Sequence, residues 1–223
     1  HRDLHTAYRR QRQMCIRDRW WKCDLHAHTP ASDDYGKGPD QAALKQLTPR
    51  EWLLGYMRAG IDCVAITDHN TGAWVDPVKT ALSELESEQP DGYKPIRVFP
   101  GVEISVNGGI HLLAILDGEK TTSDIDSLLG ASGFSGTKGS SDTVTTKSFI
   151  DVVDAIVSAG GIAIPAHVDE DNGLFRVPGT TLQQVLDCED IFAMELINQA
   201  YQKPQSYIDK KLSWTEILGS DSH

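Results

Sequence analysis

Short apolar runs rich in β-branched residues alternate along this chain with longer stretches of helical period, and nothing else in the sequence restricts the fold as much. Ile61–Thr67 (IDCVAIT) is apolar at almost every position, the pattern of a strand buried on both faces of a parallel sheet. Trp21–Ala27, Ile96–Val106, Ile110–Leu116, Ile162–Ala166, Ile191–Ile197 and Thr215–Gly219 read as further strands. Helices are expected over Trp74–Glu88, Phe149–Ala159, Thr180–Cys188 and Tyr201–Leu212. Another begins at Thr48, with Pro49 at its first position and Glu51 three residues past the cap, and stops at Gly60. Asn107, Gly108 and Gly109 mark a hairpin between two of the strands. Residues 130–143 are rich in Gly and Ser and read as a mobile loop. Together these features predict an α/β chain with repeated βα units and a mostly parallel sheet. The sequence ends directly after its last strand, which reads as a barrel cut short at its C-terminus.

The first nineteen residues fall outside this pattern. Arg9–Asp18 back-translates without mismatch to a transposase-type sequencing adapter, and His1–His5 to the end of a flow-cell primer. Residues 1–19 are therefore expected to be non-native, leaving 20–223 as one domain. Those nineteen carry six Arg and two Asp. Without them 15 basic and 30 acidic side chains remain, a net of −15 against −11 for the whole chain. So acidic a domain repels bare nucleic acid unless bound cations reverse the local field. No apolar run approaches the roughly 18 residues of a membrane span. Cys23, Cys63 and Cys188, widely spaced, are expected to be reduced thiols in a cytoplasmic protein, with the first two buried.

The histidines carry more information. His26, His28, His69, His111, His167 and His223 all stand at or just beyond the end of a strand-like run. In DLHAHT, His26 and His28 are two apart, so a strand points both to one face, where they can grip one cation. Asp33 follows in the next loop, with Asp34 adjacent. Asp68 and His69 end the second strand. Glu103 lies within an apolar strand, where a carboxylate is costly unless it pairs or binds metal. Asp221 and His223 are again two apart. Any one of these is more economically a core or capping side chain. All of them meeting strand ends by accident is not a reasonable account.

DLHAHT, ITDHN, GVEIS, HLLAIL, IPAH and SDSH, in that order, resemble the motif set of the PHP (polymerase and histidinol phosphatase) family across essentially all of Trp20–His223. The resemblance implies a distorted TIM-like (β/α)7 barrel and two or three divalent metal ions, Mn, Zn or Fe. By matched motif, His26 and His28 would hold one ion, with Glu103 bridging to a second completed by His111 and His167. Asp33, His69 and His223 would surround a third, with Asp221 linking back to the first. The wider wording, WKCDLHAHTPAS, TPREW, TTKS and AHVDEDNG, resembles PHP domains fused ahead of AAA- or SMC-like ATPases, which implies such a domain after His223.

Such a site suits hydrolysis of a phosphomonoester or phosphodiester, of a small molecule or a nucleic-acid end, by a metal-activated hydroxide. His167, His223 and Asp221 are the expected catalytic side chains, with one of the two histidines protonating the leaving group. Lys147 and Arg176, in or near loops, are candidate phosphate contacts, although ordinary solvated charges are the simpler account of both. Amidohydrolase-type C–N cleavage also uses a first-strand His-X-His, but would want a bridging lysine where this chain has Glu103. A regulatory domain serving an attached ATPase should lack ligands, and none is missing here. No G-x-S-x-G elbow, Walker A motif or G-x-G-x-x-G is present.

Overall fold

The computed structural model describes residues 21–222 apart from Asp40, Asn172 and Pro178, so the expected ligand His223 and the segment 1–19 lie outside the described residues. The chain opens with strand β1 (Cys23–Ala27), helix α1 (Pro49–Ala59), β2 (Cys63–Ile66), α2 (Val75–Glu88) and β3 (Arg97–Val106). These are βα units, and β1, β2 and β3 pair in parallel. The start of α1 follows the local chemistry foreseen for it. The Thr48 hydroxyl accepts from the Glu51 N–H while the Glu51 carboxylate accepts from the Thr48 N–H, and Gly60 closes the helix in the left-handed region at φ 74°.

The parallel pattern then breaks. The β3–β4 hairpin makes β4 (Ile110–Ile115) antiparallel to β3, and β5 (Ile162–Pro165) antiparallel to β4. The mostly parallel pairing expected holds for β1–β2–β3, and the Asn107–Gly109 connection, read as a hairpin, accounts for the reversal at β4, since no crossover helix fits in three residues. Helices α3 (Thr122–Ala131) and α4 (Phe149–Ser158) lie between β4 and β5. The sequence reading missed α3, although Thr121 and Asp124 form a capping box and Ile125, Leu128 and Leu129 supply its buried stripe.

After α5 (Thr180–Leu186) come β6 (Ala193–Glu195), α6 (Gln205–Asp209) and β7 (Thr215–Ile217). The helix expected over Tyr201–Leu212 shrinks to five residues, because Pro204 disfavours helical backbone at Lys203 before it. β6 and β7 form a separate parallel pair beside the sheet, touching β1 through a single parallel bridge, Ala27 to Ser222. The architecture is a mixed α/β fold with a curled, half-barrel sheet. The complete (β/α)7 closure is present only to that extent.

Strand alternation divides the side chains between two faces. Val102, Ile104 and Val106 of β3 join Ile110, Leu112 and Ala114 of β4 in the main core beneath the helices. The concave face holds a second apolar layer of Ala65, Leu113, Ile115, Ile164, Ala166 and Ala193. Gly101 keeps that curl tight: a Cβ there would come within 2.8 Å of the Ala114 carbonyl and 2.9 Å of the Ile66 carbonyl. The expectation of three reduced thiols is corrected as well. Cys23 and Cys63 stand opposite one another in the β1–β2 register, with Cα atoms 4.7 Å apart, and are joined as a disulfide, while Cys188 is free. Cys23 is exposed rather than buried. No described helix is long and apolar enough to cross a membrane.

Candidate metal centre

The concave face changes character along the strands. Beyond the apolar layer, the same inward positions carry His26, Glu103, His111 and Glu195, and the loops after β1, β2 and β5 add His28, His69 and His167. Seven residues that the sequence scatters over 170 positions thus reach one end of the sheet. An irregularity in the β1–β2 pairing lies between Asp24 and Ala27, around His26, where a bulge re-aims a side chain.

Glu103 is the hub, fully buried on β3. Its Oε2 lies 3.2 Å from His26 Nε2, 3.3 Å from His28 Nε2 and 2.9 Å from His69 Nδ1. Its Oε1 lies 2.8 Å from His111 Nδ1 and 3.1 Å from His167 Nε2. Burial alone would push the Glu103 carboxyl up, but His26, His111 and His167 outweigh it and hold it well below the usual carboxylate range. Burial likewise opposes the charging of His26, yet Glu103 and Glu195 draw it well above the ordinary histidine value. His69 is raised to about 10, because Asp34 and Glu103 together overcome its burial.

Two donor sets emerge, His26–His28–Glu103 and His69–Glu103–His111, each with ligand atoms within 4.8 Å of one another. Asp221 Oδ1 approaches the first at 3.4 Å from His26 and 3.5 Å from His28. Glu103 Oε2, enclosed by three imidazole nitrogens, makes no hydrogen bond of its own. Imidazole and carboxylate donors converging on an unbonded buried carboxylate oxygen fit a divalent transition ion better than a proton network.

The supporting contacts orient the first pair. The Ser32 hydroxyl donates to Asp68 Oδ1 at 2.8 Å and accepts from the His69 N–H at 3.1 Å, with His28 Nδ1 2.8 Å away. His28 therefore has its Nδ1 engaged by Ser32 and its Nε2 turned toward His26 and Glu103 in the donor cluster. Asp68 is filled by Thr29 and Ser32, so it braces the loop rather than facing the histidines. Asn70, at φ 49°, locks the β2 end onto β3 and the 130–143 loop, bonding Ser105 and the Ser140 carbonyl. Gly139 joins that loop to His69 and Asp33 through its main chain, so the segment read as mobile is tied to the site. His167 and Asp221, at φ 30° and 45°, are also held in the left-handed region that side chains other than glycine rarely adopt.

Of the expected ligands, His26, His28, His69, Glu103, His111, His167 and Asp221 are brought together. Asp33 is not. It is exposed and its N–H bonds the Gly139 carbonyl, while the neighbouring Asp34 places Oδ2 3.1 Å from His69 Nε2. Lys147 lines a groove of about 590 Å³ between α3 and α4 that includes none of the site histidines. Arg176 is exposed on the loop that follows His167. Sequence reasoning missed Glu195, fully buried, whose Oε2 accepts from His26 Nδ1 at 2.7 Å and from the His167 N–H at 3.0 Å. The signal was available, a lone charge between Met194 and Leu196 in an apolar strand, the same signature that marked Glu103.

A curled α/β sheet presenting a His/Asp/Glu cluster at one end defines the class to which the molecule is comparable. No protein-family model matches the chain. A 5′-3′ exoribonuclease of Haemophilus influenzae is 32% identical over 111 residues, a match covering 48% of this chain and 33% of that protein. In structure, the chain is similar to a protein of Bifidobacterium adolescentis described as a metal-dependent phosphoesterase, at TM-score 0.54 and 19% identity over 91% of this chain and 88% of that one. It is also similar to the lesion-specific endonuclease PfuEndoQ of Pyrococcus furiosus, at TM-score 0.63 and 17% identity over 91% of this chain and 48% of the endonuclease. The chain thus shares the fold of the PHP-like metal-dependent phosphoesterases.

Proposed function

We propose that this domain is a metal-dependent phosphoesterase, hydrolysing a phosphomonoester or phosphodiester at a nucleotide or nucleic-acid end. The observation that carries the reading is Glu103, a buried carboxylate surrounded by five imidazoles and bridging two donor sets. Divalent ions held there would supply an activated water and neutralise phosphoryl charge. His26, His28 and Asp221 would hold one, His69, His111 and His167 the other, with Glu103 between them and Asp34 beside His69. His223 is carried forward as a further ligand on its motif alone. Two ions rest on these sets; a third, like the choice among Mn, Zn and Fe, rests on the family resemblance.

The side chains themselves define how a substrate enters. His26, His28 and Glu103 are closed off, whereas the side chains of His111, His167 and Asp221 are 21%, 14% and 29% exposed. The phosphoester approaches from that side. His167, at this mouth, would protonate the leaving oxygen where it is not holding an ion, and Arg176 on the loop after it would meet the phosphate. A nucleic-acid end is favoured because both the Haemophilus relative and the Pyrococcus neighbour are nucleases by description. An acidic chain tolerates such a substrate when bound cations supply the local positive field.

The test is hydrolysis of 5′- and 3′-phosphorylated oligonucleotides and simple phosphodiesters with Mn²⁺, beside chelated protein and His28→Ala. Metal-dependent turnover that His28→Ala reduces on the order of a hundredfold or more is expected. A folded, metal-loaded protein inactive on every phosphoester overturns the reading and favours a regulatory domain beside an ATPase.

A further inference from the structure

We infer that Glu195 is the positioning residue of this site, one oxygen that sets the His26 ring and the His167 backbone in register. The assignment rests on the metal-binding reading above. Glu195 Oε2 receives His26 Nδ1 at 2.7 Å and the His167 N–H at 3.0 Å, so a single atom joins a ligand of the deep donor set to one at the mouth. With its Nδ1 bonded to the carboxylate, His26 turns its Nε2 toward Glu103 Oε2 and Asp221 Oδ1, the direction from which a cation would be held. His167 needs an anchor for another reason. Its φ of 30° is strained for a side-chain-bearing residue, and the bond to Glu195 holds it there.

The other oxygen, Oε1, is buried without a hydrogen-bond partner. A carboxylate left half unsatisfied is a poor choice for stability alone, which argues that its place is set by the histidines. Gly219 keeps that place open, since a Cβ there would run into Glu195 Oε1 and come within 2.5 Å of the His26 Cβ.

The experiment is calorimetric titration of metal-free protein with Zn²⁺, together with the imidazole ¹⁵N spectrum of the Zn²⁺-loaded form. Glu195→Leu is expected to weaken Zn²⁺ binding about 10- to 100-fold and to erase the His26 Nδ1–H signal. Glu195→Gln keeps an acceptor oxygen and should recover most of the affinity. Gly219→Ala, which presses on both the Glu195 carboxylate and the His26 Cβ without removing either group, should move affinity in the direction of Glu195→Leu and covers the case where that variant does not fold. Parent-like affinity with an intact His26 signal in Glu195→Leu, or in Gly219→Ala where Glu195→Leu does not fold, overturns the assignment alone. So does a Glu195→Gln variant as impaired as Glu195→Leu. A parent that takes up no Zn²⁺ defeats the metal reading and this assignment with it.

Discussion

Glu103 and Glu195 are the same residue type, equally buried, on inward positions of strands from different sheets, yet their surroundings make them opposites. Glu103 sits in the middle strand of a five-stranded sheet, and imidazoles from four other segments close around both its oxygens. Glu195 ends a three-residue strand of the β6–β7 pair and reaches one histidine ring and one backbone N–H. On the reading proposed above, the first carboxylate belongs to the chemistry and the second aims it. A buried charge in a strand announces a site, but only its neighbours say which part of the site it is.

The largest effect expected from this contrast belongs to Glu103→Ala. It removes the group shared by both donor sets, so both ions should be lost and hydrolysis should fall by on the order of a thousandfold. Calorimetry that still found full metal stoichiometry would remove Glu103 from its place as the hub.

Proton competition comes next. In metal-free protein Asp34 and Glu103 raise His69 to about 10, so near neutrality it carries a proton that a cation must displace. The metal-free state holds more protons, and apparent affinity should therefore rise with pH up to about 10. Titrations in buffers of different ionisation enthalpy should register proton release at pH 7.5. A pH-independent affinity would show that His69 is not a ligand.

A smaller effect separates two adjacent carboxylates. Asp34→Ala should weaken metal binding about tenfold, whereas Asp33→Ala, which removes an exposed carboxylate, should stay within about twofold. The reverse order would restore the sequence-based choice. Smallest of all is Lys147→Ala, expected to change KM by less than about twofold, because its groove includes none of the histidines. A KM increase of tenfold or more would bring α3 and α4 into the substrate site.

Much of this molecule was legible before any coordinate. The Thr48–Glu51 cap, the Gly60 stop, the hairpin at Asn107–Gly109 and most strand positions follow from local preferences, which depend on a few neighbouring residues. His26, His28 and Glu103 were legible for a related reason: period-two geometry and the cost of a buried charge are local rules too. Tertiary structure alone decided the rest. That Asp34 rather than Asp33 meets His69 depends on how the 130–143 loop pins the β1 loop through Gly139. That Cys23 meets Cys63 depends on the β1–β2 register, across forty residues. That Glu195 meets His26 depends on the β6–β7 pair settling beside β1, at a sequence separation of 169. Local pattern states which groups must not be left alone in a core, and only the packing of distant segments selects their partners.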